Sequence, residues 1–249
     1  MAEFKKYNLK CTFADSDLDV TGRVSVAKLC DILQRGATSA AIELGVGMAE
    51  LLKEGHSWML SSMSVCFDNW PTSTDGVELT TWASGVKGRL VCTRDYLLKG
   101  LDGTSFIRAT SDWIYVDVVN RKISRLTPKL MTLAPEGVDR VDVAPLPKDL
   151  PIADGSAPLT SSILVRRADC DVNRHVNNVH YIEWLFEPLS EELFSRRLLR
   201  LDISYRSEAK MGEEVESFIE QAECGKTTLH SLKRKADGAV LVTAVCHWE

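Results

Sequence analysis

Between Asp169 and Asn178 the chain gathers two aspartates, three asparagines and a histidine: Asp169, Asp171, Asn173, His175, Asn177 and Asn178, interleaved with Cys170, Val172 and Val176. Asp171, Asn173 and His175 stand at i, i+2 and i+4, a spacing that sets all three on one side of an extended stretch. Together they offer an acid or base, an amide able to donate to an oxyanion, and an imidazole. These are the parts of a site for acyl transfer to water. There is no G-x-S-x-G elbow, and the nearby Cys170 falls on the opposite side of the alternation, so an activated water is favoured over a side-chain nucleophile. Helix capping would account for any one of these Asn or Asp residues; capping a single helix does not require all of them.

The elements that must hold these residues follow from periodicity. From Val179 the apolar positions Val179, Ile182, Phe186 and Leu189 recur at helical spacing, with Asn177 or Asn178 as N-cap and Pro188 at the end. The polar loop then sits just before a helix N-terminus, where unpaired N–H groups can meet developing negative charge. A short strand, Ile163 to Val165, precedes the loop, and strands at Leu199 to Tyr205, Glu214 to Ala222, Thr227 to Lys235 and Val240 to Trp248 follow it. Glu223-Cys-Gly225 and Asp237-Gly238 mark turns between the last three.

The first half reads in the same order. Residues 4 to 13 predict a strand, and Val26 to Leu44 predicts a helix capped by Ser25 and ended by Gly45 and Gly47, with Val26, Leu29, Leu33, Ala37 and Ala40 on one face. Strands follow at Trp58 to Phe67, Val77 to Ser84, Arg89 to Lys99 and Phe106 to Asp117, with turn signals at Asn69-Trp-Pro71, Leu101-Asp-Gly103 and Asn120-Arg-Lys122. The repetition extends to residues: Asp17-Leu-Asp-Val-Thr-Gly-Arg-Val24 aligns with Asp169-Cys-Asp-Val-Asn-Arg-His-Val176 at a constant offset of 152. Thr21 stands in the first copy where Asn173 stands in the second, and Arg23 where His175 stands. Two homologous α+β modules are predicted, each a long helix packed on an antiparallel sheet, the second chemical and the first shaping a pocket.

Residues 135 to 158 hold five of the eight prolines and little periodicity. The predicted division is therefore an N-terminal module at 1–134, a linker at 135–160 and a C-terminal module at 161–249. A hydrophobic fraction of 45% and a charged fraction of 26% are those of an ordinary water-soluble protein. The N-terminus has neither a signal-peptide core nor transit-peptide character, so the chain reads as cytoplasmic, or plastid if a transit peptide has been removed. No apolar run is long enough to span a membrane. Seven dispersed cysteines, without a C-x-x-C pair or zinc spacing, read as reduced and mostly buried thiols; neither metal nor cofactor is indicated. A net charge of -5 argues against a general nucleic-acid binder.

The stretch Asp171-Val-Asn-Arg-His-Val-Asn-Asn-Val-His-Tyr-Ile-Glu-Trp184 resembles the signature of the acyl-ACP thioesterases of plants and bacteria, a double hot-dog family. Trp58 to Pro71, Thr81-Trp82, Arg94-Asp95-Tyr96, Arg108 to Trp113 and Ser204 to Glu208 fit the same resemblance, which spans nearly the whole chain. It implies a tandem double hot-dog fold and hydrolysis of the thioester between a fatty acyl chain and acyl carrier protein (ACP), a step of fatty acid biosynthesis. It also implies a catalytic set of Asp171, Asn173, His175 and, from a neighbouring strand, Glu208. Plant members often carry Cys directly after that Glu; here the position is Ala209, which agrees with attack by water. The roles that follow are Glu208 as the base on water, His175 sharing the proton, Asp171 fixing the imidazole, and Asn173 with a backbone N–H near Val179 polarising the carbonyl. The first module would house the acyl chain, with Met59, Met63 and Trp113 setting its depth.

The implied partner, acyl carrier protein, is acidic, and Arg166-Arg167, Arg196-Arg197 with Arg200, and Lys233-Arg234-Lys235 are basic clusters that could receive it, or else solvated faces. No nucleic-acid or membrane partner is implied, and the chain would act as a monomer or homodimer. Two other readings share the loop: hydrolysis of acyl-CoA, and a non-catalytic acyl-ligand sensor, for which no DNA-binding helix pair is present. A hot-dog hydratase pattern, with a proline and His five after Asp, is not met, because His175 is four after Asp171.

Overall fold

A computed structural model describes residues 5–72, 75–147, 149–153, 159–222 and 225–249. Phe4 of the first predicted strand, Glu223 and Cys224 of one predicted turn, and positions 148 and 154–158 of the predicted linker lie outside the described residues. The chain separates into two compact units, Met1–Ser25 with Leu29–Pro145, and Val26–Lys28 with Leu146–Glu249.

The first unit runs β1 (Tyr7–Thr12), a 3-10 turn at Asp15–Asp17, α1 (Val26–Glu43), α2 (Met48–Lys53), β2 (His56–Phe67), β3 (Gly76–Lys87), β4 (Val91–Gly100), β5 (Ser105–Asp117), β6 (Lys122–Ile123) and α3 (Pro128–Met131). Its strands are antiparallel in the order β1-β3-β4-β5-β2, with the two-residue β6 beside β5. Leu29, Ile32, Leu33, Ala37 and Ala40 of α1 are buried, the apolar face its period predicts, while Val26 is half-buried. Gly36 lies within that face. A Cβ there would fall 2.3 Å from Leu79 Cδ2, so glycine lets the helix approach β3 closely despite a helix-interior cost of about 1 kcal/mol.

The second unit runs β7 (Leu159–Leu164), a 3-10 turn at Arg167–Asp169, α4 (Asn178–Phe186), α5 (Glu191–Ser195), β8 (Leu198–Tyr205), β9 (Glu214–Gln221), β10 (Thr227–Arg234) and β11 (Val240–Trp248). Its strand order is β7-β9-β10-β11-β8, again antiparallel throughout. Substituting each strand's counterpart converts one order into the other. Tyr181, Ile182, Trp184, Leu185 and Phe186 of α4 are buried, and Ser217 of β9 donates its hydroxyl to Trp184 O at 3.3 Å.

The short elements α2, β6, α3 and α5 are not among the elements predicted from sequence. One or two turns carry too few residues for a periodicity, and their local signals were caps: Thr127 Oγ1 accepts from Leu130 N before Pro128, and Ser190 Oγ accepts from Leu193 N. Gly45 ends α1 at φ 66°, whereas Gly47 is the N-cap of α2.

Much of the predicted linker is tied down. Arg140 Nε donates to the fully buried Asp95 carboxylate at 2.8 Å, Val141 N donates to the same carboxylate at 2.9 Å, and Trp82 Nε1 donates to Asp139 O at 2.9 Å. Arg108 forks onto Asp68 and also donates to Asp142 O. In the second unit Leu150 and Ala153 are buried, and Ser231 Oγ donates to Ala153 O at 2.8 Å. Of the six described cysteines none is in a disulfide; Cys30, Cys92 and Cys246 are buried, while Cys11, Cys66 and Cys170 are half-buried.

Candidate active site

The loop before α4 is built from its own backbone. Asp169 closes the 3-10 turn by accepting from Arg166 N at 2.7 Å, and Cys170 and Val176 form an isolated bridge. Between them the chain does not stay extended. Arg174 N donates to Asp171 O at 3.0 Å and Arg174 adopts φ 64°, so Asp171 to Arg174 is a tight turn. Asp171 Oδ1 accepts from Asn173 N at 2.8 Å and Oδ2 accepts from Asn173 Nδ2 at 3.2 Å. The Asp171 and Asn173 side chains therefore meet, but through an Asx turn and not through strand alternation.

The first copy repeats these bonds one for one. Asp17 accepts from Ala14 N, Leu18 bridges Val24, Asp19 Oδ1 accepts from Thr21 N at 2.8 Å, and Gly22 N donates to Asp19 O at 2.9 Å. Ser25 N donates to Asp17 O as Asn177 N donates to Asp169 O. Asp169 is thus architectural. Burial works against its charge, yet the Arg166 guanidinium and N–H hold its carboxyl below the usual range.

His175 and Glu208 meet. Nε2 lies 3.3 Å from Glu208 Oε2, with the imidazole side chain 26% and the carboxylate 42% exposed, accessible to a substrate. Several bonds hold Glu208 in place. Arg234 Nη2 donates to Glu208 O at 2.7 Å, while Ala209 donates its N–H to Tyr181 Oη at 2.7 Å and accepts from Val176 N at 3.0 Å. Burial pushes the Tyr181 phenol up to about 12, so it stays neutral. His175 also bridges Lys210, which brings the loop against the segment carrying Glu208.

Two hydrogen-bonding arrangements differ from those expected. The carboxylate at the imidazole is Glu208's, while the two oxygens of Asp171 accept from Asn173 and Asp171 donates its backbone N–H to His175 O at 2.9 Å. The Val179 N–H is not left for a substrate, because α4 is capped through it: Asn177 Oδ1 accepts it at 3.2 Å. Cys170 directs its thiol to Arg166 O at 3.7 Å. Tyr181 and Arg234, which position the Glu208 backbone, are not among the residues expected from sequence. Tyr181 was visible in the quoted signature, whereas Arg234 was hidden in a basic run.

Most of the predicted docking cations are neutralised within the unit. Arg166 pairs with Asp169, Arg196 with Glu192, Arg200 with Asp202, Arg234 with Glu213 and Asp237, and Lys235 with Glu214. Lys233 lies 4.7 Å over the Phe218 ring. Among the described residues no group of three or more His, Cys, Asp or Glu could hold a metal, and no helix is long and apolar enough to cross a membrane.

A helix on an antiparallel sheet, made twice in one chain with the same strand order, is the double hot-dog architecture. Residues 4–133 match the acyl-ACP thioesterase N-terminal domain and residues 153–249 the C-terminal domain, and the chain belongs to that family. A crystal structure of an acyl-ACP thioesterase from Bacteroides thetaiotaomicron superimposes with a TM-score of 0.85 at 23% identity, covering 98% of each chain. The 12:0-ACP thioesterase from Umbellularia californica gives 0.86 at 21%, covering 98% of this chain and 97% of that one. In sequence, the chloroplastic acyl-[acyl-carrier-protein] hydrolase FATB3 of Cuphea viscosissima is 28% identical over 93% of this chain and 60% of its own length. The chloroplastic palmitoyl-acyl carrier protein thioesterase of Arabidopsis thaliana is 29% identical over 80% of this chain and 52% of its own length. The chain thus spans between half and two thirds of these two curated relatives.

Proposed function

We propose that this protein is a hydrolase that releases free fatty acid from acyl carrier protein, with Asp171, Asn173, His175 and Glu208 as its site. The observation that carries the reading is the accessible His175–Glu208 pair, 3.3 Å apart, whose histidine stands on the loop that the first copy reproduces with Arg23 in its place. A water beside Glu208 gives up its proton to the pair as its oxygen attacks the thioester carbonyl carbon. The tetrahedral intermediate collapses by breaking the C–S bond, and the same proton returns to the departing thiolate. Carboxylic acid and carrier thiol are the products.

Asn173 supplies the oxyanion donor. One of its amide hydrogens is committed to Asp171, which fixes the amide and leaves the second for the substrate oxygen. The turn that orients Asn173 is Asp171's contribution. No cofactor enters this scheme. The first module, residues 1–134, houses the acyl chain, the 135–160 segment joins it to the catalytic module at 161–249, and Met63, buried in β2, is the better depth gauge than the exposed Met59. The setting proposed is the cytoplasm, or a plastid if a transit peptide has been removed.

The test is free fatty acid release from a ladder of acyl-ACPs and the matching acyl-CoAs. Faster release from carrier protein, with His175→Ala and Glu208→Ala each reduced about 10²- to 10⁴-fold, supports the reading. Preference for CoA removes the carrier-protein assignment. Bound acyl ligand without turnover removes the hydrolase.

A further inference from the structure

Arg174 occupies a backbone conformation that costs an L-residue energy. The matching position in the first copy is Gly22, at φ 79° in the same turn, and a Cβ there would have nothing within 4 Å, so φ alone favours glycine. Arg174 nevertheless carries a long side chain at φ 64°. That side chain is exposed, and its guanidinium makes no hydrogen bond or ion pair among the described residues. The fold gains no hydrogen bond or ion pair from it and bears the strain, which points to a use outside the chain.

Arg174 is not isolated. Arg206 and Lys210 lie two residues either side of Glu208, are exposed, and likewise have charged ends with no partner among the described residues. Lys210 bridges His175 through its backbone, and Arg206 follows the end of β8 and donates its N–H to Leu241 O at 2.8 Å. These three cations flank the His175–Glu208 pair, while Arg166, Arg196, Arg200, Arg234 and Lys235 are each matched by carboxylates.

We propose that Arg174, with Arg206 and Lys210, is the docking rim for the acidic face of the carrier protein that delivers the thioester. This rests on the hydrolase reading above. Single cations spaced along two separate segments suit carboxylates spread over a protein surface better than the clustered phosphates of a nucleotide carrier. Opposite charge around a site raises the encounter rate and fixes the approach, and its effect falls with salt.

The experiment compares wild type, Arg174→Gly, Arg174→Lys and Arg206→Ser/Lys210→Ser on three substrates with one acyl chain: acyl-ACP, acyl-CoA and the uncharged N-acetylcysteamine thioester. Binding of fluorescent carrier protein is followed in parallel by anisotropy. Arg174→Gly is expected to lower kcat/KM for acyl-ACP about tenfold more than for the uncharged thioester, mainly through KM, and to flatten the salt dependence. It should also weaken carrier binding and raise Tm, whereas Arg174→Lys retains binding. Equal losses on all three substrates, a loss confined to acyl-CoA, or carrier binding unaffected by Arg174→Gly would overturn the docking rim. If wild type turns over no thioester, the hydrolase reading fails, and carrier binding alone still decides the rim.

Discussion

His175 and Glu208 form the contact on which the proposed site depends, and their geometry depends on a residue outside the proposed reaction. Tyr181 presents its phenolic oxygen to the Ala209 N–H at 2.7 Å, fixing the backbone one residue beyond Glu208. Tyr181→Phe leaves that buried N–H unpaired. It should cost about 1–3 kcal/mol of stability, read by urea denaturation. Displacing Glu208 should also lower kcat about 10- to 100-fold with little change in KM. Full activity in a protein destabilised by that amount would show that Tyr181 supports the fold and not the carboxylate.

Two elements carry predictions that do not involve the reaction. On β10, His230 is fully buried, with Thr228 Oγ1 at 2.8 Å from Nε2 and the Phe186 ring of α4 stacked 6.3 Å away. Burial lowers its pKa from 6.5 to about 4. Between those values the unfolded chain binds a proton that the folded chain refuses. Stability is therefore full above pH 6.5 and falls, by about 3 kcal/mol in all, as pH drops to about 4. Urea midpoints measured across that range should decline for wild type and decline less for His230→Gln; parallel curves would refute the assignment. On β4, Asp95 gathers Arg140, Val141 N and Thr110 Oγ1 on one buried carboxylate. Asp95→Ala should cost about 3 kcal/mol and speed amide hydrogen exchange at Val141, because the Arg140 charge and the Val141 N–H lose their acceptor. Unchanged exchange would mean that Trp82 and Arg108 hold the strap unaided.

At the scale of the whole chain, the same strand order occurs in both units, and the loop repeat explains how this was legible. Asp17 and Asp169, Asp19 and Asp171, and Val24 and Val176 keep identity and spacing because each side chain serves the same local turn, and local bonds leave a mark in sequence. The long helices and central strands were legible for a similar reason, since each shows its own period. The His175–Glu208 contact was available only through family resemblance, because 33 positions separate the two residues and strand pairing alone brings them together. The anchoring of residues 139–142 was not legible at all: its partners Trp82, Asp95 and Arg108 sit on three strands, and prolines nearby masked it as linker. The one-sided alternation of Asp171, Asn173 and His175 holds only for an extended stretch, and the tight turn within this polar loop was masked because an arginine stands where a left-handed turn would advertise itself with glycine. In the proposed reaction His175 and Glu208 act as one proton-transferring unit on water. The most direct measurement of that unit is a double-mutant cycle of His175→Ala and Glu208→Ala on single-turnover release of fatty acid from acyl-ACP. A double mutant no slower than the slower single mutant is predicted, because removing either member disables the unit. Losses that multiply would contradict it and separate the two residues into independent roles.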